Sequence, residues 1–226
     1  MPFHDRRDAG RRLAERLRGF HGPDVVVLAV PRGGVPVACE VAAALGLPLE
    51  VEVVRKLRVP FQPGLVFGAI AANGVQVIDE PILLRAFVSD PERHRVTREA
   101  RNTLSRSIIR YRGAMTPFRL DGRTAVIVDD GVATGATARA AIEVARSRGA
   151  ERVILAVPVG SPRAIRSLSR TADIVVCLET PAMFHSIAQW YQRFDDVTDT
   201  AVCELLARPS PPKPPVVLPA EVDPVL

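Results

Sequence analysis

The chain has 226 residues, of which 47% are hydrophobic, and this is enough for one α/β domain with a full core. Its formal net charge at pH 7 is +5. Its three cysteines, Cys39, Cys177 and Cys203, form no CxxC pair, which argues against a disulfide framework or a zinc site. No apolar run approaches the ~20 residues of a membrane span, and residues 1–18 lack the apolar stretch of a signal peptide. We therefore expect a soluble, cytoplasmic protein that has no membrane partner.

The first 56 residues predict a helix followed by a strand–helix–strand unit. Ala9, Leu13 and Leu17 recur on one face among arginines, which predicts a helix over residues 5–18. Two short apolar runs, residues 25–30 and 49–54, are typical of buried parallel strands. Residues 35–45 predict the helix between them, so the crossover is expected to be right-handed.

A less regular segment follows. Prolines and glycines predict that residues 57–78 begin as a flexible loop, and Asn73-Gly74 predicts a hairpin in a two-stranded excursion after it. In a helical insertion over residues 80–115, Asp90 and Pro91 are expected to be the N-cap and the first residue of a long helix. The apolar residues expected on the inner face of that helix are Val96, Ala100, Leu104, Ile108 and Tyr111.

Further strands and helices complete the predicted fold. The strands are residues 124–128, 153–157 and 174–177, and the helices are residues 136–148, 162–168 and 197–206. Together they predict a doubly wound α/β fold with a mainly parallel, five-stranded sheet. The proline-rich tail, residues 209–226, is expected to be extended or disordered, with use as a docking arm as the alternative.

Residues 126–137 place two acids and a turn of small residues between a strand and a helix. Such a turn points free backbone N–H groups at an anion, and the helix dipole favours negative charge there. The predicted phosphate-binding residues are Gly131, Val132, Ala133, Thr134, Gly135, Ala136 and Thr137. Asp129 and Asp130 would repel a phosphate, so we expect them to accept hydrogen bonds from two neighbouring ribose hydroxyls. A βα turn without a ligand is the alternative.

Two basic segments are predicted at the same edge of the sheet. Arg32 in Pro31-Arg-Gly-Gly34 can fork onto phosphate oxygens, and the glycines allow close backbone approach. Arg55 and Lys56 end the second predicted strand, and Lys56 is one of only two lysines in the chain. An ordinary βα turn and a solvated strand end are the alternatives.

The motif at residues 126–137 resembles the phosphoribosyl pyrophosphate (PRPP) motif of type I phosphoribosyltransferases. The resemblance covers about residues 24–200 and implies one phosphoribosyltransferase domain over residues 1–208, with a small hood from residues 1–20 and 179–208. Residues 30–35 are also similar to the pyrophosphate loop of xanthine-guanine phosphoribosyltransferases. That similarity implies a non-proline cis peptide within residues 32–34.

The resemblance implies a pentosyltransferase that moves 5-phosphoribosyl to a nitrogenous acceptor, such as a nucleobase, and releases pyrophosphate. The resemblance implies that Mg²⁺ is the cofactor, that it binds together with PRPP, and that Asp129 or Asp130 contacts it. The implied catalytic residues are Asp129, Asp130, Arg32 and Lys56. The implied pyrophosphate-binding residues are Arg32, Gly33, Gly34, Arg55 and Lys56. Phe184 or Trp190 is expected to stack on the acceptor, and family members are often homodimers.

Two questions stay open from the sequence. The acidic purine-reading pattern of the salvage enzymes is absent, so the acceptor is not identified and a PRPP- or nucleotide-sensing regulator is the alternative. The arginine-rich helix after Asp90 is interpreted as a solvated face, with nucleic-acid binding as its alternative.

Overall fold

The computed structural model describes residues 2–71, 74–112 and 119–207, and its centre is a five-stranded parallel sheet. In spatial order, the strands are β2 (Leu49–Val51), β1 (Val25–Ala29), β6 (Thr124–Val128), β7 (Arg152–Val159) and β8 (Ile174–Glu179). All neighbouring strands of this sheet are parallel. The predicted five-stranded parallel sheet is therefore confirmed.

Helices cover both faces of the sheet. They are α1 (Arg6–Arg16), α2 (Gly34–Leu45), α5 (Ala136–Ser147), α6 (Pro162–Leu168) and α7 (Asp199–Leu206). Alternate residues of β1 enter two cores because successive side chains of a strand point to opposite faces. Val27 packs in the core that includes residues of α1, α2 and α7, and Val26 packs in the core that includes residues of α5 and α6. The predicted doubly wound architecture is confirmed.

A second, antiparallel sheet is formed by β3 (Val54–Val59), β4 (Gln62–Ala71) and β5 (Gln76–Ile78). The sequence predicts one strand over residues 49–54, but the structure divides this run between the two sheets. The acids Glu50 and Glu52 are buried at the division, and Arg148 at the end of α5 forms ion pairs with both. These buried ion pairs hold the chain where it leaves the parallel sheet.

Regular strands occupy most of the segment in which the sequence predicts a flexible loop and two strands. Gly68 contributed to the prediction of a loop, because glycine often marks one. In the structure it is a strand residue, and a Cβ atom there would lie 2.4 Å from the carbonyl oxygen of Val77. This glycine allows close pairing of β4 with β5 and does not mark a loop. Gly74 has a positive φ of 78° between these strands, as the hairpin prediction requires, whereas Asn73 lies outside the described residues.

Two helices follow the second sheet, α3 (Glu80–Arg85) and α4 (Asp90–Arg112). The predicted inner face of α4 is confirmed, since Leu104 is buried and the other four residues pack against the same core. Asp90 is the first helical residue and not the N-cap. Ser89 precedes it, and its amide donates to Glu92, which is one of the two hydrogen bonds of a capping box; the hydroxyl of Ser89 also donates to Glu92. Residues 113–118 and the tail, residues 209–226, lie outside the described residues.

Within the ranges that the structure describes, no helix combines the length and apolar character needed to cross a bilayer.

Helices α1 and α2 approach each other closely at Gly10. A Cβ atom on Gly10 would lie 2.7 Å from the carbonyl oxygen of Val37 and 2.8 Å from the Cβ of Glu40. We expect Gly10→Ala to lower the free energy of unfolding by about 1–3 kcal/mol, because the helices must separate. Urea denaturation measures the loss. Gly19→Ala is the matched control, since a Cβ there would meet nothing within 4 Å; equal losses for the two variants would contradict the close contact.

Candidate active site at the carboxyl edge of the sheet

Asp129 and Asp130 directly follow β6 and line a cavity of about 150 Å³. Asp130 is 8% exposed, and its amide donates to Oδ1 of Asp129 at 2.9 Å. Lys56 and the turn after the acids line the same cavity. The structure thus brings together the two predicted ribose-binding acids, one predicted pyrophosphate-binding cation and most of the predicted phosphate turn.

The environment of the two acids opposes their ionisation. Burial raises the pKa of Asp129 well above its ordinary value, and the neighbouring carboxylate of Asp130 raises it further. Burial also raises the pKa of Asp130, although its ion pair with Arg6 acts in the opposite direction. Burial and the nearby cation Arg58 lower the pKa of Lys56. The cavity therefore concentrates groups whose charged forms are poorly compensated, as is common at functional sites.

The turn between β6 and α5 presents unpaired backbone donors. Gly135 is the N-cap of α5, has a positive φ of 83° and is not assisted by a capping side chain. In the described part of the chain, six amides of this turn and the first helical turn have no hydrogen-bond acceptor. These amides belong to Gly131, Ala133, Thr134, Gly135, Thr137 and Ala138. Free amides at a helix N-terminus bind an anion well.

Neighbouring segments hold this turn in place. The amide of Val132 donates to the carbonyl oxygen of Val159 at 2.9 Å, and the amide of Ser161 donates to Val132 at 2.8 Å. The hydroxyl of Ser161 donates to the carbonyl oxygen of Ala133 at 2.6 Å. Ser161 therefore holds the turn through the carbonyl oxygens of Val132 and Ala133. These contacts leave the amides named above free to bind a ligand.

The predicted glycine-rich loop packs directly against the acids. A Cβ atom on Gly33 would lie 2.0 Å from Oδ2 of Asp130, and one on Gly34 would lie 2.6 Å from the carbonyl oxygen of Val128. Only glycine allows the loop to come this close. A non-proline cis peptide is present at Pro31–Arg32, so the predicted position within residues 32–34 is wrong by one bond.

Two of the predicted pyrophosphate-binding side chains do not line the cavity. Arg55 projects to the other face of β3 from Lys56, as adjacent strand residues do, and donates to the hydroxyl of Ser107 on α4 at 2.6 Å. Arg32 is exposed, and its Nη1 lies 3.9 Å from Oδ1 of Asp199 on α7. Of the three predicted cations, the structure places only Lys56 beside the acids.

Arg6 is a site residue that the sequence analysis missed. Its Nε lies 2.9 Å from Oδ2 of Asp130, and its Nη1 donates to the carbonyl oxygen of Asp195 at 2.7 Å. The guanidinium also stacks 3.8 Å from the ring centroid of Phe194. A signal existed in the helical period, because Arg6 lies three and four residues before the buried Ala9 and Gly10 and therefore on the buried face of α1.

Two segments that were predicted to form the hood, the N-terminus and residues 184–194, contact each other. Phe3 and Tyr191 form an isolated parallel bridge, and the hydroxyl of Tyr191 donates to the carbonyl oxygen of Asp130 at 2.6 Å. Phe184 and Trp190 pack into the same small hydrophobic cluster. Neither of them lines the cavity of the acids; Ile187, which the sequence analysis did not single out, does so.

The residues present fit the implied Mg²⁺ only in part. Asp129 and Asp130 offer carboxylate oxygens, which this cation prefers. However, one oxygen of Asp130 is taken by Arg6, and Oδ1 of Asp129 accepts from a backbone amide. Among the described residues, no group of three or more His, Cys, Asp or Glu side chains forms a metal site. This donor set fits an ion that arrives with most of its ligands supplied by a phosphate compound.

The raised pKa of Asp129 has a consequence for stability. The unfolded chain loses this proton near pH 3.8 and the folded chain at higher pH, so ionisation destabilises the fold at pH 7. We expect Asp129→Asn to raise Tm at pH 7 by about 2–4 °C, the shift produced by about 1 kcal/mol in a domain of this size. Calorimetry as a function of pH measures the gain, which should vanish below pH 3.8.

Asp90→Asn is the control, because the side chain of Asp90 is 78% exposed. We expect no gain in Tm for it at any pH. A lower Tm for Asp129→Asn than for the unmodified protein at pH 7 would contradict the assignment of a desolvated, poorly compensated carboxylate.

Comparisons with known proteins identify the family of the chain. A family model described as "Phosphoribosyl transferase domain" matches residues 4–193. Two Mycobacterium tuberculosis proteins named "Putative phosphoribosyl transferase" are 49% identical over 206 residues, covering 91% of this chain and 46% of each relative, so the chain spans about half of their length. The crystal structure of TT1426 from Thermus thermophilus is 40% identical with a TM-score of 0.82, covering 91% of this chain and 98% of that chain. The chain belongs to the phosphoribosyl transferase domain family, as its resemblance to type I phosphoribosyltransferases predicts.

Proposed function

We propose that the protein binds PRPP at the carboxyl edge of the parallel sheet and transfers its phosphoribosyl group to a nitrogenous acceptor. One observation carries the proposal: two adjacent acids, one buried and one partly buried, line the same cavity as a turn whose amides find few acceptors among the described residues. The acids suit hydroxyl donors, and the amides suit a phosphate. A ribose 5-phosphate carries both groups within one small molecule.

In the proposed complex, the amides of residues 131–137 hold the 5′-phosphate, and the hydroxyls of Thr134 and Thr137 add donors. Asp129 and Asp130 accept from the 2′ and 3′ hydroxyls of the ribose. The ion pair with Arg6 keeps the carboxylate of Asp130 in one orientation. Gly33 and Gly34 let the predicted pyrophosphate loop pack against the acids, and Lys56 supplies positive charge for the pyrophosphate beside them.

The transfer would depend on positioning and electrostatics. The bond from C1 of the ribose to the pyrophosphate breaks, positive charge develops on the ring, and a nitrogen of the acceptor forms the new bond to C1. The carboxylates of Asp129 and Asp130 stabilise the positive ring. The ammonium of Lys56 stabilises the departing pyrophosphate. Mg²⁺, when bound through PRPP with help from Asp129 or Asp130, would neutralise charge on the pyrophosphate.

The proposal predicts that Asp130→Asn weakens PRPP binding by about tenfold or more, because hydrogen bonds to a charged group contribute about 1.5–3 kcal/mol. Isothermal titration calorimetry with PRPP and Mg²⁺ measures the affinity. The exposed Asp90→Asn variant is the matched control and should bind like the unmodified protein. Equal affinities for the Asp130→Asn variant and the control would remove Asp130 from the site.

A second candidate is a PRPP- or nucleotide-sensing protein without transferase activity. It is favoured by the position of Phe184 and Trp190, which pack in the hood cluster and do not line the cavity where an acceptor would meet the ribose. A screen of purines and pyrimidines for pyrophosphate release separates the two candidates. Release with one base supports transfer, whereas PRPP binding without release for any acceptor supports sensing.

Nucleic-acid binding through α4 receives less support from the structure. Several of its guanidinium groups already have acceptors within the chain: those of Arg93, Arg95, Arg101 and Arg110. This pattern favours the solvated helix face. A gel-shift series with increasing salt tests the point, since binding to nucleic-acid phosphates must weaken steeply as salt rises.

A further inference from the structure

Helix α3 is followed by an aromatic residue in a left-handed backbone conformation. Phe87 has a φ of 52° and is the one non-glycine residue with a positive φ in the described part of the chain. Its amide donates to the carbonyl oxygen of Leu84, and the amide of Val88 donates to that of Leu83, both at 3.2 Å. These two bonds form a Schellman motif, in which glycine usually occupies the left-handed position. A phenylalanine in this position costs free energy that a glycine would not.

The side chain of Phe87 makes little contact with its own chain in return. It is 89% exposed, and Leu84, which lies three residues earlier, is 75% exposed. We call these two side chains, together with the exposed Arg85 between them, the knob. A strained backbone that presents apolar side chains to water indicates a surface that a partner covers.

A cleft of about 800 Å³ begins at the same helix and lies between the second sheet and α5. Glu80 and Pro81 of α3 line it, and they lie four and three residues before Leu84, on the same face of the helix. The knob therefore continues the face of α3 that borders the cleft. Most of the larger side chains on the walls that the second sheet and α3 contribute are apolar: Leu65, Val66, Val77, Ile78 and Ile82.

The charges of the knob and the cleft are complementary. Arg85 of the knob forms no ion pair within the described ranges of the chain. Glu143 of α5 lines the cleft, is half-buried and likewise has no ion pair with a described residue. Burial raises the pKa of Glu143 although the charge of Arg139 opposes the shift, and the guanidinium of Arg139 donates to the hydroxyl of Ser167 at 2.7 Å. A guanidinium from another molecule would compensate the carboxylate of Glu143.

A second copy of this chain is the partner that carries both halves of the contact. The knob and the cleft are adjacent on one helix, so two copies related by a two-fold axis can each insert a knob and receive one. We propose that two copies associate through α3, with Leu84 and Phe87 of each copy in the cleft of the other and Arg85 of each copy beside Glu143 of the other. This inference does not rest on the proposed function.

Sedimentation velocity over a range of protein concentrations tests the association. We expect a monomer–dimer equilibrium for the unmodified protein. Phe87→Gly should weaken dimerisation by about thirtyfold or more, as the loss of a central aromatic anchor does. Ile109→Ala is the matched control and should leave dimerisation unchanged, since Ile109 is 70% exposed on α4 and does not line the cleft. Monomers at every concentration, assembly that continues beyond the dimer, or equal dimerisation of the two variants would overturn the proposal.

A stability measurement separates the loss of the contact from a loss of folding. Phe87→Gly supplies the residue that the left-handed position favours. At a dilution where both proteins are monomers, the Tm of the variant should therefore equal or exceed that of the unmodified protein. A lower Tm would show that the Phe87 side chain stabilises its own chain, and would overturn its assignment to a partner.

A mixing experiment identifies the partner as a second copy. Arg85→Glu and Glu143→Arg each place like charges at both contacts of a dimer, so either variant alone should dimerise about tenfold more weakly or worse. An equimolar mixture has opposite charges at both contacts of the mixed dimer, so dimers should return. A mixture that stays as weak as the separate variants would overturn the contact between Arg85 and Glu143. Should either charge variant fail to fold, the comparison of Phe87→Gly with Ile109→Ala still decides the proposal.

Discussion

The buried carboxylate of Asp130 is the point at which the separate parts of the site meet. Arg6 of the N-terminal helix pairs with this carboxylate, and Gly33 of the loop after β1 packs against it. Tyr191 of the hood donates to the backbone carbonyl of the same residue. Three segments distant in sequence are therefore located relative to the end of β6 by one residue. A ligand that contacts Asp130 would therefore contact the residue against which all three segments pack.

The two desolvated acids lower the free energy of unfolding, and the fold does not require acids at these positions. Two adjacent acids, the buried Asp130 and the partly buried Asp129, lie at the end of a strand, where desolvation opposes the charge of both and the carboxylate of Asp130 also opposes that of Asp129. The Arg6 ion pair compensates one of them, and Lys56 lies beside the other without a hydrogen bond to it. Uncompensated charge at one edge is typical of sites that are organised for a ligand rather than for stability.

The elements around the site differ in how far the sequence predicts them. The motif of β6, the acids and the turn is local, and so its apolar run, paired acids and small residues predict both its structure and its place at the edge of the sheet. Arg6 is recognised only when helical periodicity is combined with a tertiary contact more than 120 positions away. The face of β3 from which the Arg55 side chain projects depends on the residue at which β3 begins. The sequence does not reveal that residue, because it does not show that β2 and β3 belong to different sheets.

The hood shows a second limit of sequence analysis. Aromatic residues near the end of a domain suit either ligand stacking or a hydrophobic cluster, and composition does not distinguish the two. In the structure, Phe184 and Trp190 pack with Phe3 and Tyr191 in a cluster that includes Val159 of β7, and the hydroxyl of Tyr191 ties the hood to Asp130 after β6. Ile187 reaches the cavity instead, because it lies at the side of that segment nearest to Gly131.

The central claim is that paired carboxylates and free amides together hold a phosphorylated ribose. A crystal structure of the protein soaked with ribose 5-phosphate tests it most directly, because this compound contains only the sugar and the 5′-phosphate. We predict the phosphate within hydrogen-bonding distance of the amides of residues 133–137 and the ribose hydroxyls on Asp129 and Asp130. A phosphate bound elsewhere, with the ribose hydroxyls turned away from both carboxylates, would contradict the account.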